Sequence, residues 1–312
     1  MFTLSELEAA ERLVRRHFPA TPQFNWPLLS ARAGCEVWVK HENHTPTGAF
    51  KVRGGLTYFD GLKSRGVISA TRGNHGQSLA YAGARAGIPV TIVVPEGNSL
   101  EKNASMRALG AELVERGRDF DVARQYAMQL AAERGLDFAP SFAPPLVLGV
   151  ATYALELFRG APPLDALYVP IGLGSGICGC IMARDLLGLS TEIIGVQSQG
   201  AASYALSFAA GHVVETESAV THADGMATRV PNPAALHMII EGAARIVTLT
   251  DDEVRDAVRA YWTDTHNLAE GAGAAALAAL MQEREAMRGK RVGVVLSGGN
   301  IDLPLFRDWV MD

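Results

Sequence analysis

The sequence is poor in the features that crosslink a chain, span a bilayer or hold a polyanion. Only three of its 312 residues are cysteine: Cys35, Cys178 and Cys180. The number is odd, and Cys178-Gly-Cys180 lacks the CxxC spacing of a redox or zinc motif. A disulfide scaffold is therefore excluded, and small buried thiols in a reducing cytosol are the expectation. There is no basic excess either. Lys+Arg number 28 against 33 Asp+Glu, a formal charge of −5, with no dense basic run. That excludes a dedicated nucleic-acid binder. Long apolar runs are also missing. Uncharged windows near Phe138–Leu155, Ala166–Ala183 and Ile193–Val214 are each broken by proline, clustered glycine or Gln/Ser. They read as buried core and not as membrane spans. The first residues carry no secretory signal pattern, so a cytoplasmic protein is expected.

Glycine is what the sequence has in excess: 32 residues, about 10% against a usual ~7%. The 48% hydrophobic and 20% charged residues are otherwise ordinary for a globular chain. Length alone suggests about two domains. Size scaling predicts roughly 48,000 Å² of surface unfolded and roughly 12,600 Å² folded. Such a core needs neither disulfides nor metals to carry stability.

Short β-branched runs alternate with helical patterns. Strands are predicted at Val37–Lys40, Val67–Ala70, Val90–Val94, Leu113–Glu115, Ala166–Pro170, Ile193–Gln197, Ile246–Leu249 and Val292–Leu296. Helices are predicted at Gln77–Ala86, Phe120–Arg134, Leu148–Phe158, Ile177–Leu187, Asp252–Asp264 and Gly271–Arg288. Thr3-Leu-Ser-Glu6 reads as a capping box ahead of a stripe of Leu4, Leu7, Ala10, Val14 and Phe18. Apolar strands spaced by crossovers imply an α/β fold with mostly parallel sheets buried on both faces. Pro-rich stretches at Ala139–Pro145 and Gly160–Pro163 are the candidate domain junctions.

In such folds ligands sit beyond the carboxyl ends of the strands, and there the glycines concentrate. Four segments stand out. After Val37–Lys40 comes Thr47-Gly-Ala-Phe50-Lys51, which puts Lys51 in the first turn of a following helix. A lysine there has its charged form disfavoured by the helix dipole and by burial, as a Schiff-base lysine requires. After Val67–Ala70 comes Thr71-Arg72-Gly73-Asn74-His75 at a helix start, a cradle for a carboxylate. After Ala166–Pro170 comes Gly172-Leu173-Gly174-Ser175-Gly176, whose backbone N–H groups can converge on a phosphate. After Val292–Leu296 comes Ser297-Gly-Gly-Asn300, a hydroxyl at a strand tip that can meet a heteroaromatic nitrogen. Each alone has a plainer reading: a solvated lysine, a capped turn, a tight turn required by packing. Gly174–Gly179 also matches GxGxxG, so an oxidoreductase binding NAD is an alternative. Against it, the next strand ends in Val196-Gln197-Ser198, without the acidic residue that would hold the ribose.

The four segments in this order, across roughly residues 25–305, resemble the second fold type of pyridoxal-phosphate enzymes, in the threonine/serine dehydratase and serine racemase branch. The resemblance implies a tryptophan synthase β-like architecture of two α/β lobes, each a mostly parallel twisted sheet flanked by helices. It implies a large cofactor-binding domain of residues 1–54 and 146–312, and a small substrate-loop domain of residues 55–145. It implies pyridoxal 5′-phosphate on Lys51, with Phe50 beside its ring and its phosphate held by Gly172, Leu173, Gly174, Ser175 and Gly176. By the same resemblance Asn74 meets the ring oxygen, Ser297 faces the ring nitrogen and Glu270 supports the cofactor. Thr71, Asn74 and His75 grip the substrate carboxylate. The implied activity is dehydration and deamination of a β-hydroxy-α-amino acid, threonine or serine by default, by a homodimer.

Three departures from the family pattern bear on substrate and control. Arg72 stands where relatives carry serine or alanine. A racemase of this branch uses that serine as its second proton carrier, whereas arginine stays protonated. Amino-acid racemisation is therefore the weaker alternative. Arg72 also leaves room for a β-aryl or acidic substrate, such as phenylserine or 3-hydroxyaspartate, unless it simply points to solvent. The segment Gln197–Tyr204 lacks the carboxylates that bind a divalent cation in several relatives, so no metal is expected. The sequence stops at Asp312, so the effector-binding domain of biosynthetic threonine dehydratases is not expected.

Overall fold

A computed structural model describes residues 1–311. Their ten strands form two sheets. The larger is built from β1 (Gln23–Asn25), β2 (Glu36–His41), β7 (Ala166–Pro170), β8 (Glu192–Ser198), β9 (Arg245–Leu249) and β10 (Arg291–Leu296). Its order is β1-β2-β10-β7-β8-β9, parallel throughout except where β1 pairs with β2. The smaller holds β3 (Val67–Ala70), β4 (Val90–Val94), β5 (Glu112–Glu115) and β6 (Asp137–Phe138), ordered β5-β4-β3-β6 and wholly parallel. The exposed area is 12665 Å², close to the scaling expectation.

All eight predicted strands are present, three with the predicted ends and the rest longer by one or two residues. β3 and β4 are buried at every residue, as the near-continuous apolar runs of two-sided parallel strands require. The two unpredicted strands, β1 and β6, are three and two residues long. So short a strand carries no periodicity of its own and forms only because a neighbour offers it hydrogen bonds.

The predicted helices form too, Phe120–Arg134 with the predicted ends and the others with shifted ones. The first spans Leu4–Arg15, with both bonds of its capping box made and Leu7, Ala10 and Val14 buried. One helix begins at Pro144 and not at Leu148, so its start lies inside a stretch expected to be a junction. Proline fits a first helical turn, where no backbone donor is needed. Helices begin at Asn74 and Ser175, earlier than Gln77 and Ile177, because polar and glycine residues in a first turn interrupt the apolar pattern. The last long helix ends at Gln282, short of Arg288. The Lys51–Phe59 helix forms despite Gly54-Gly55, whose bare backbones lie against Leu146 and Ser78, with no room for a side chain.

Strand order sets the site. β10 lies between β2 and β7, with Val292 opposite Val37 and Ala166. The carboxyl ends of these three neighbours lead to the Lys51 loop, the Ser297 turn and the Gly172–Gly176 loop. Three segments far apart in sequence thus leave one sheet edge together. Among the described residues, no helix is long and apolar enough to cross a membrane. All three cysteines are buried free thiols, and burial pushes each pKa up, to about 11 at Cys35 and about 12 at Cys178 and Cys180.

Candidate active site

The Lys51 helix is fastened to the end of β10 at its first residues. Phe50 N donates to Ser297 O at 3.0 Å, and Ala49 pairs with Gly298 in an isolated antiparallel bridge. On the other side, Ser78 Oγ donates to Lys51 O at 2.6 Å. The lysine backbone is therefore fixed from two directions. Its side chain is half-buried, and Nζ donates to Ser175 Oγ at 2.9 Å. Burial lowers the Lys51 pKa to about 8. Nζ also lies 5.0 Å from the Phe50 ring centre, and that ring meets Tyr153 edge-on.

Ser175 opens the Ser175–Leu186 helix from Gly174, whose φ of 95° is in the left-handed region that glycine tolerates. Among the described residues no side chain caps this helix, so its first N–H groups are available to an anion. Gly172 passes so close to Gly225 O that any side chain would collide with it. Leu173 O accepts from Tyr204 Oη at 3.1 Å, which braces the loop from behind.

Asn74 begins the Asn74–Ala86 helix. Its Nδ2 donates to Glu270 Oε1 at 2.6 Å, and its Oδ1 accepts from Asn300 Nδ2 at 2.9 Å. Asn300 Nδ2 also donates to Thr47 O at 2.8 Å. Glu270 is buried, and burial with the Asp224 charge pushes its pKa up to about 7, against the pull of Lys102. Gly298 lies flush with Glu270 Oε1, where a side chain would collide. Ser297 is buried and its Oγ donates to Ala272 O at 3.3 Å. His75 is buried too. Burial and the nearby Lys51 lower its pKa to about 3, so the ring is neutral, and its Nε2 lacks a hydrogen bond among the described residues.

Thr71 is buried, its Oγ1 accepting from Gly73 N at 3.1 Å. Arg72 is exposed and has no ion pair or side-chain hydrogen bond among the described residues. Sequence reading missed Lys102, Asp224 and Tyr153, and named Asn300 only as the end of a turn. Asn300 was within reach, standing directly after the Ser297-Gly-Gly turn. Lys102 and Asp224 carry no local signal, since a single lysine in an amphipathic helix reads as a solvated one.

A half-buried lysine of lowered pKa beside an uncapped, glycine-rich helix start is the donor set that an aldehyde with a phosphate tail requires. His75 Nε2 and Glu270 Oε2 add buried polar atoms that lack hydrogen bonds among the described residues around it. The family described as pyridoxal-phosphate dependent enzyme matches residues 14–298. The chain belongs to this family. It is accordingly an enzyme whose cofactor is pyridoxal phosphate, and the dinucleotide reading of Gly174–Gly179 is set aside. The chain is 33% identical over 308 residues to the L-threonine ammonia-lyase of Thermotoga maritima, covering 97% of this chain and 77% of that protein. It is 34% identical over 302 residues to an L-threo-3-hydroxyaspartate ammonia-lyase of Pseudomonas, covering 95% and 94%. The crystal structure of a T.th. threonine deaminase superposes with a TM-score of 0.91 at 30% identity, covering 97% of this chain and 99% of that one.

Proposed function

We propose that this protein is an ammonia-lyase that converts a β-hydroxy-α-amino acid, threonine or serine by default, to a 2-oxo acid and ammonia. The observation that carries the reading is Lys51: a half-buried amine with its pKa held near 8, 2.9 Å from a hydroxyl at an open helix start. Lys51 would hold the cofactor, with Phe50 beside the ring. Gly172, Leu173, Gly174, Ser175 and Gly176 would take the phosphate, and Asn74, Glu270 and Ser297 would meet the ring. Thr71, Asn74 and His75 would receive the substrate carboxylate, with Arg72 beside them on the substrate side. When bound, the cofactor supplies the electron sink that lets the Cα–H bond break heterolytically.

Lys51 Nζ, in its free-base form, would take the Cα proton. A pKa near 8 leaves a useful fraction of free base at neutral pH while keeping the amine basic enough to act. The Ser175 hydroxyl orients that amine by accepting its hydrogen. Neutral His75 adds no positive charge that would repel a protonated Lys51. The β-hydroxyl would leave as water by taking back the proton now on Lys51, and the released unsaturated amine would be hydrolysed by water to the 2-oxo acid and ammonia.

The chain divides, on this reading, into lobes of 1–54 with 146–312 and of 55–145. The separate sheets, whose strands fall at 23–41 with 166–296 and at 67–138, support that division. A guanidinium at position 72 offers no second acid–base group opposite Lys51, which favours elimination over racemisation.

Exposed, unpaired Arg72 favours a second reading, in which the β-substituent is a carboxylate, as in 3-hydroxyaspartate. An assay of 2-oxo acid release over a panel of β-hydroxy amino acids decides between them. If the acidic reading holds, Arg72→Ala raises KM at least 10-fold for the acidic substrate and leaves threonine unchanged. An unchanged ranking of substrates removes Arg72 from recognition. For the activity itself, Lys51→Ala should abolish 2-oxo acid release and the visible band of the bound cofactor. Cofactor capture by the apo-protein should speed up with pH around a midpoint near 8, because the neutral amine is the reacting form. A midpoint near 10, or activity surviving in Lys51→Ala, would sink the reading.

A further inference from the structure

Lys102 sits on the Leu100–Ala108 helix, between two strands of the small sheet. Its side chain is 7% exposed and ends among residues of the other sheet's segments. Nζ is 2.6 Å from Asp224 Oδ2 and 3.5 Å from Glu270 Oε2. Glu270 Oε2 is the oxygen that lacks a hydrogen bond, while Oε1 accepts from Asn74. A continuous path therefore runs from Thr47 O through Asn300, Asn74 and Glu270 to Lys102 and Asp224.

The path has a direction. Asn300 already donates into Asn74 Oδ1, so Asn74 can present only its NH2 to Glu270. An ionised Glu270 accepts that donor on either oxygen. A protonated one accepts it only as a neutral carbonyl oxygen, a weaker bond than to a carboxylate, and so holds the amide less firmly. Asn74 is the first residue of the helix whose Ser78 is bonded to Lys51 O, so its orientation matters at the site.

We propose that Lys102 is a positioning residue: bridging Asp224 and Glu270 from the opposite sheet, it sets the charge of Glu270 and, through it, the amide of Asn74. The inference rests on the functional reading above only in taking Asn74 as a wall of the cofactor site. The charged groups facing Glu270 are Lys102, from the Leu100–Ala108 helix, and Asp224, from the Asp224–Met226 turn. Asp302 acts on Lys102 from the segment after β10. Lys102 favours the carboxylate and Asp224 opposes it, so the two substitutions must move Glu270 in opposite directions.

The test uses the full chain loaded with pyridoxal phosphate. The absorption band of the bound cofactor is titrated with pH, and the pH profile of kcat is recorded beside it. Lys102→Met should move the acid limb of both toward alkaline pH by one unit or more and lower kcat at neutral pH at least 10-fold. Lys102→Arg, which keeps the cation, should restore the limb to within about 0.3 unit. Asp224→Asn should move it toward acid pH, and it serves alone if Lys102→Met does not fold. Limbs that stay in place while only thermal stability drops, or that move the same way in both variants, overturn the proposal. Because the band is read without substrate, a wrong substrate assignment leaves this test intact.

Discussion

The protein buries two clusters of charged side chains, and they are built on different rules. Around Arg53, two cations meet two carboxylates. Arg53 forks onto Glu42 at 2.7 and 3.0 Å and onto Glu156 at 3.0 and 2.8 Å, with further bonds to Thr152 and Thr21. Lys40 completes it, 2.7 Å from Glu156 and 2.9 Å from Thr21 O. Around Glu270, one cation meets two carboxylates, and Glu270 Oε2 has no hydrogen bond among the described residues. A balanced, fully bonded cluster repays the desolvation of its charges and gains nothing from a ligand. An unbalanced one holds a group whose protonation responds to what binds beside it. Location agrees with this division. The Arg53 cluster is drawn from segments outside the small sheet and fixes the far side of the Lys51 helix. The Glu270 cluster joins segments of both sheets at the candidate site.

Three measurements test the contrast. Arg53→Met leaves two buried carboxylates facing only Lys40 and the partly exposed Arg15, 3.9 Å from Glu156, and should destabilise the fold by about 3–5 kcal/mol in a denaturant titration. A loss under about 1 kcal/mol would show that the cluster does not brace the Lys51 helix. Thr21→Val removes a neutral partner that donates to Glu42 at 2.6 Å and accepts from Arg53, and should cost about 1.5–3 kcal/mol.

The smallest stability effect belongs to Glu270→Gln. A carboxyl raised from its ordinary value to about 7 stabilises the fold below the unfolded-state pKa, and that contribution is lost as pH rises through the folded one. The variant should match the parent within about 1 kcal/mol near pH 5 and gain on it toward pH 7. Its bound-cofactor spectrum should nonetheless change. If instead it loses stability as Arg53→Met does, the two clusters are of one kind.

Much of the fold was legible because parallel strands buried on both faces must be apolar along their length, and β3, β4 and β7 announce themselves that way. β1 and β6 were not, since their existence depends on a neighbour's hydrogen bonds. Lys51, Asn74, Ser175 and Ser297 were legible because strand-end turns that approach a ligand need glycine beside them. Arg72 was visible as a departure, and the structure leaves it exposed to solvent, one of the two readings open to it.

What the sequence alone determined is the alternation of strands and crossovers, the glycine turns after them, and hence the family. Those are local matters of backbone freedom and apolar run length. What only the tertiary structure decided is which charges are buried together. Lys102 and Glu270 lie far apart in the chain, and nothing near either residue specifies the other. Their pairing follows from a helix of the small-sheet unit meeting a segment of the large one, where the cost of a buried charge is settled by whatever arrives from the opposite side.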